Sequence, residues 1–184
     1  MKTIIEKYGI KNIWHFTDKA NLDSILKYGG LLSLKALDDR GIEIPAPGGN
    51  QRSHETDRSK GLDSFVHLAF IKNHPMLYTA QKDGRIKNPI WLSIDTSILM
   101  DLGVRFCSSV SNSSGAKLLD YREAEKEIDF EVLYTYMNWS DSEILARRNV
   151  AEKSEILVPN IVPLDKILSL NNGKKTCIYT TRRA

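Results

Sequence analysis

Apolar residues in this chain gather in short runs set between long polar stretches, and the spacing within each run predicts its element. Asn12 to Phe16 reads as a strand, after which Thr17 or Asp18 caps a short helix whose Leu22, Ile25 and Leu26 share one face at three- and four-residue spacing. Gly29-Gly30 ends that helix. Phe65-Val-His67-Leu-Ala-Phe70, Ile90 to Ile94 and Val104 to Cys107 predict further strands, with Asp95 capping a turn over Thr96 to Met100. Pro75 suits the first turn of a helix through Met76, Leu77 and Tyr78. Tyr121 to Asn138 predicts one helix, because Phe130, Leu133, Tyr134 and Met137 recur on one face, and Asp141 to Asn149 extends or restarts it. Glu155 to Val158 predicts a strand, Ile161 to Leu168 a turn or short helix, and Thr176 to Thr180 a last strand. Ser108 to Gly115 is a loop of small residues.

One segment has no period at all. From Leu37 to Lys60 the chain is polar and turn-rich, with Pro45, Pro47, Gly48 and Gly49, and so long a stretch in a small domain reads as a functional lid or as disorder. Strands and helices mix without regular βαβ alternation, which predicts the α+β class rather than a doubly wound sheet. With 184 residues, 41% of them hydrophobic, the chain suits a single domain with its own core, and no internal repeat divides it.

Charge narrows the picture little. A net charge of +3 from 26 basic and 23 acidic residues permits local basic patches without demanding a nucleic acid, and residues 171–184 form one such basic segment. Cys107 and Cys177 lack metal-ligand spacing, so neither a metal site nor a disulfide scaffold is expected. The N-terminus lacks the apolar core of a signal peptide, and no run of about eighteen apolar residues occurs, so a cytoplasmic protein with no membrane partner is expected.

Candidate chemistry sits on two strands. Glu155-Ile-Leu-Val-Pro159 sets a carboxylate at the mouth of a buried strand that a proline then stops, and Trp14-His15-Phe-Thr17 inserts polar groups into another apolar strand. Period-two alternation turns His15 and Thr17 one way and Trp14 and Phe16 the other, a pair of hydrogen-bonding groups suited to a nucleotide ribose or amide.

Several further motifs fall in order between these two. Asn21-Leu-Asp-Ser-Ile-Leu26 leads to Gly29-Gly30; Arg52 follows in the polar segment; Asp63 to Phe70 and His74-Pro-Met-Leu77 come next. Together, over about Ile13 to Ile167, they resemble DarT, the DNA-targeting ADP-ribosyltransferase toxins of bacterial toxin–antitoxin pairs. The resemblance implies a compact single-domain ADP-ribosyltransferase fold, with two small sheets forming a cleft for NAD as co-substrate and no metal. It implies Glu155 as the catalytic carboxylate and Arg52, with Arg58 its rival, as the residue that orients the reacting base or helps its deprotonation, of which orientation is the easier role for a protonated arginine. It further implies NAD contacts from His15, Thr17, Asn21 and Arg52, and a covering segment over residues 37–60. Single-stranded DNA would meet Tyr78, Lys72 and Arg85, with Lys82 and Lys87 nearby, by stacking and phosphate pairing. A cognate antitoxin with ADP-ribosyl hydrolase activity is the expected partner.

The chain departs from the family pattern at one place. Members carry Tyr-Val-Pro-Phe-Tyr-Phe and then Arg-Ser-Pro-Met-Leu, where this chain has Phe65-Val-His-Leu-Ala-Phe70 and Asn73-His-Pro-Met-Leu77. An arginine is missing, and the altered segment leans the acceptor from thymidine, the target of the well-known branch, toward guanosine. The competing readings are transfer to RNA or protein, an RNA 2′-phosphotransferase of the related fold, and a noncatalytic nucleotide- or DNA-binding module.

Overall fold

The computed structural model describes residues 1–170, so the strand expected at Thr176 to Thr180 and the basic C-terminal segment lie outside the described residues. Eight strands form two antiparallel sheets: β1 (Asn12–Asp18), β2 (Gly30–Leu32), β3 (Phe65–Ala69), β4 (Pro89–Asp95), β5 (Arg105–Cys107), β6 (Glu155–Pro159), β7 (Ile161–Pro163) and β8 (Ile167–Leu170). Six of them order as β5-β6-β3-β1-β4-β8, and β2 pairs with β7 in the second sheet. The expected α+β class with two sheets is what the chain adopts, but the sheets are unequal, with six strands in one and two in the other among the described residues.

The core follows from the apolar runs. Ile13, Leu92, Ile94 and Ile156 have no exposed surface, and Phe70 packs in a stack against Phe106 and edge-on against Phe130. Strand β6 lies between β5 and β3, so Glu155, Ile156, Leu157 and Val158 are all buried, which explains its unbroken run of apolar residues. The second sheet requires a glycine: Gly30 has φ near +150°, and a Cβ there would lie 2.2 Å from the Val162 carbonyl oxygen.

Helices flank the sheets: α1 (Lys2–Tyr8), α2 (Leu22–Lys27), α3 (Leu34–Asp38), α4 (Gln51–Ser59), α5 (Pro75–Lys82), α6 (Tyr121–Glu127), α7 (Phe130–Tyr134) and α8 (Ser142–Ala151). Pro75 opens α5, and Asp95 accepts the Ser97 N–H at 2.8 Å, both as the sequence predicts. The rest of the pattern needs three corrections. The aperiodic segment begins in the last turn of α3 and contains α4, which is capped by Asn50, whose side chain accepts the Ser53 N–H at 2.8 Å. The single helix over Tyr121 to Asn138 is two, because Ile128 is extended and Asp129 caps α7 by accepting the Val132 N–H. The turn expected at Ile161 to Leu168 is β7, a 3-10 turn and the start of β8.

Candidate active site

Strand register makes the site. β1 and β3 meet at one registered pair, Trp14 with Ala69, and beyond it they part. Into this gap goes the His15 ring, whose Nδ1 lies 2.9 Å from the His67 carbonyl oxygen. A carbonyl only accepts, so Nδ1 carries the proton and Nε2 is left as an acceptor. Burial pushes His15 down to about 4, with the neighbouring His67 charge adding to that, so the ring is neutral at physiological pH.

The parted strands open a cleft of about 510 Å³ whose wall includes all four residues Trp14 to Thr17, together with His67, His74, Ser111 and Glu155. Directly opposed residues share a sheet face, and the pairs Trp14–Ala69, Ala69–Glu155 and Cys107–Glu155 therefore put Trp14 and Phe16 on the face of Glu155. The aromatic members of the first strand, rather than His15 and Thr17, share that face.

Glu155 opens β6 and is only 4% exposed. Its two oxygens differ. Oε2 accepts from the Ser111 backbone N–H at 3.0 Å, from the Ser111 hydroxyl at 2.5 Å and from His67 Nδ1 at 3.3 Å. Oε1 faces only the Nε2 of His74 among the described residues, at 3.4 Å and without hydrogen-bond geometry. Burial by itself would push the carboxyl up, but the hydrogen bond and charge of His67 outweigh it and hold Glu155 below its ordinary value, ionised at neutral pH. His67 moves oppositely: burial opposes its charge, and the Glu155 carboxylate overrides that and raises it.

Thr17 and Asn21 line the cleft but their polar atoms serve the loop above it. Asn21 Nδ2 donates to the Ala46 carbonyl at 2.7 Å and to Thr17 Oγ1 at 3.0 Å, while its Oδ1 accepts the Ala46 N–H at 2.9 Å. This is a loop anchor rather than a ready nucleotide contact. Arg85 anchors the same loop from the other side: its guanidinium donates to the Gly48 carbonyl and to Asp83, and the side chain is only 16% exposed.

Helix α4 presents Ser53, His54, Asp57 and Arg58 to the cleft, whereas Arg52 is exposed and is not among the residues lining it. Arg58 is held by Asp38 at 2.7 Å. Asn112 ties the inner face of α4 to the Ser111 loop, donating to Ser53 Oγ at 3.0 Å and Asp57 at 3.2 Å. Of the residues expected to meet DNA, Tyr78 is 71% exposed on α5, and the Lys72 ammonium lies 4.0 Å above the Trp14 ring at the cleft mouth. The sequence reading gave no role to His67, His74 or Ser111. His67 had the same signal as His15, one histidine inside an apolar strand.

Comparison with known proteins decides among the readings. The model of a family described as ssDNA thymidine ADP-ribosyltransferase, DarT, matches residues 14–180. The chain belongs to the DarT family. Solved structures agree in fold. DarT from Thermus sp. 2.9 in complex with ADP-ribosylated ssDNA superposes with a TM-score of 0.66 at 20% identity, over 88% of this chain and 81% of that one. The same protein in complex with NAD+ gives 0.58 at 21% identity, over 88% and 81%. DarTG from Thermosipho africanus in complex with ADP-ribose gives 0.68 at 20% identity, over 87% of this chain and 43% of that one. No curated protein matches the chain.

The family makes this DarT-type chain an NAD-dependent ADP-ribosyltransferase, and its cleft suits that co-substrate. An ionised carboxylate with one oxygen left for a ligand faces a cleft that also holds a neutral histidine with an open acceptor. Among the described residues, no group of three or more His, Cys, Asp or Glu side chains is placed to hold a metal ion, and no helix is long and apolar enough to cross a membrane.

Proposed function

We propose that this chain transfers ADP-ribose from NAD to a base of single-stranded DNA, with Glu155 as the catalytic carboxylate. The observation that carries the reading is the unequal hydrogen bonding of Glu155, with Oε2 fixed by Ser111 and His67 and Oε1 presented to the cleft. Breaking the bond between ribose and nicotinamide builds positive charge on the ribose. A buried carboxylate already ionised and already held in one orientation stabilises that charge without reorganising. Nε2 of His15 is available to accept a hydrogen bond from a ribose hydroxyl.

The orienting arginine is Arg58 rather than Arg52 in this reading, because Arg58 faces the cleft and is restrained only by an exposed pair with Asp38. Arginine stays protonated, so its role is orientation and charge stabilisation. Thymidine is the acceptor named in the family's description. The exchange of the family's Arg-Ser for Asn73-His74 favours guanosine as the second reading. An RNA 2′-phosphotransferase would need several arginines around a phosphate, and Arg58 is the one arginine lining the cleft among the described residues. A cytoplasmic location, toxicity through blocked replication and an antitoxin that removes the adduct belong to the same proposal.

Incubating the protein with NAD and single-stranded oligonucleotides, each lacking one base, and weighing the products tests this directly. A gain of one ADP-ribose that vanishes with a single missing base is the expected result, and Glu155→Gln should lower that rate by about 10²–10³-fold while NAD still binds. Retained activity in Glu155→Gln removes the carboxylate from the mechanism. Nicotinamide release without any DNA adduct would move the acceptor to RNA or protein.

A further inference from the structure

One buried group in the cleft has chemistry that neither NAD positioning nor the charge on Glu155 uses. His74, just ahead of α5, is 7% exposed, and neither Nδ1 nor Nε2 has a hydrogen-bond partner. A buried imidazole with both nitrogens unpaired is costly, so such a group marks a place where a ligand supplies the missing partner. Its ring stacks on Phe16 at a centroid distance of 6.3 Å, and its Nε2 stands 3.4 Å from Glu155 Oε1, the oxygen not already bound. The ring therefore borders the point where the reacting ribose must lie if Glu155 is to act on it.

The transfer also needs a proton acceptor beside the reacting carbon, and His54 and Asp57, which line the same cleft, sit on α4 without a hydrogen bond or ion pair to Glu155. A base N–H that becomes a nucleophile must lose its proton. Arg58 is permanently protonated and accepts none. His15 keeps an open Nε2, but it lies on the other sheet face from Glu155 and that acceptor is assigned above to a ribose hydroxyl, while His67 is engaged by Glu155, Ser111 and the Leu62 carbonyl. Burial lowers His74 below the ordinary histidine value, with Glu155 opposing and His67 adding, which leaves it neutral and able to accept at physiological pH.

Resting on the transferase reading above, we propose that His74 is a catalytic residue on the acceptor side of the cleft, taking the proton of the DNA base as its nitrogen attacks. The base nitrogen forms the new bond to the ribose C1′. The bond from C1′ to nicotinamide breaks, and its electron pair neutralises the pyridinium charge. The base N–H proton passes to a ring nitrogen of His74, and the imidazolium, stabilised by the Glu155 carboxylate beside it, returns that proton to water after release. Water attacking in place of a base passes its protons directly to solvent, so hydrolysis of NAD depends on Glu155 but not on His74.

The experiment compares the unaltered chain with His74→Ala and His74→Asn, measuring adduct formation on single-stranded DNA and nicotinamide release without DNA, with thermal melting as the check on folding. The role predicts that adduct kcat falls by about 10²-fold or more, that this fall exceeds any fall in NAD hydrolysis by about tenfold or more, and that free imidazole restores part of the adduct rate to His74→Ala. If His74→Ala melts below the assay temperature, the same split in His74→Asn decides. An equal fall in both reactions reduces His74 to a support for Glu155, and no fall at all removes it; either result overturns the role. Failure of the unaltered chain to label any DNA overturns the function proposed above and this role with it.

Discussion

Replacing Asn21 with alanine separates two meanings of a polar residue in the cleft wall. The Asn21 amide satisfies both backbone groups of Ala46, at 2.7 and 2.9 Å, and both residues are buried, at 4% and 9% exposure. Alanine would leave a buried N–H and a buried C=O unpaired, at about 1–3 kcal/mol each, so about 2–6 kcal/mol is at stake if the loop stays in place. Taking a urea m-value of about 2 kcal/mol per molar, the midpoint should fall by about 1–3 M. The loop has a cheaper course, however. It can detach and hydrate the two groups, which limits the global loss to the free energy that docks the loop.

The two courses are read by different assays, and both distinguish an anchor from an NAD ligand. Urea unfolding reports the global cost, and limited proteolysis between residues 40 and 50 reports detachment. Asn21→Ala should lower the midpoint or expose the loop, and should raise the KM for NAD as a consequence. A raised KM with an unchanged midpoint and an equally protected loop would refute the anchor, because Asn21 would then be acting on NAD directly. Thr17→Val supplies a graded control, since it removes only the 3.0 Å acceptor of the same amide and leaves the Ala46 bonds intact.

Two further outcomes follow from the site. Arg58→Ala should cut transfer by about 10²-fold, the usual loss of one charge-stabilising group, whereas Arg52→Ala should leave it within a few-fold; the reverse order in a kcat comparison would restore Arg52 to the cleft. His15 titrates near 4 in the folded chain against an ordinary 6.5, so the unfolded chain binds the extra proton first and stability falls as pH drops from 6.5 toward 4. His15→Gln should flatten that part of a melting-temperature profile, and an unchanged slope would show that His15 is not the group responsible.

Sequence pattern was informative wherever burial is apolar and local. The strands carrying Ile13, Val66, Leu92 and Ile156, the proline that opens α5 and the cap at Asp95 are each specified within a few residues. Helix α4 escaped because amphipathicity is normally read against an apolar core, and its inner residues, Ser53, His54, Asp57 and Arg58, line an open cleft instead of packing into that core. The cue that remained was Asn50 ahead of Ser53, a cap without a hydrophobic stripe behind it. The choice between Arg52 and Arg58 depends on that helix, since helical phase puts Arg58 in the cleft wall and leaves Arg52 out of it. The break at Asp129 was masked for the opposite reason, because Phe130, Leu133 and Tyr134 keep their spacing while the cap restarts the helix after Ile128 and Asp129.

The environment of Glu155 shows why its position, but not its electrostatics, could be inferred from the chain. A carboxylate at the start of an apolar strand is a local signal. Its ionisation depends on Ser111 and His67, which are 44 and 88 residues away in sequence and reach it only because β3, β6 and the loop after β5 are brought side by side. The segment that departs from the family pattern supplies two of the three side chains around that carboxylate, His67 and His74. The departure sets two titratable rings beside Glu155, one whose charged form the carboxylate favours and one whose ring nitrogens have no hydrogen-bond partner among the described residues. On the role proposed for His74, the departure bears on how this chain handles the proton of its acceptor, and so on which base it can use.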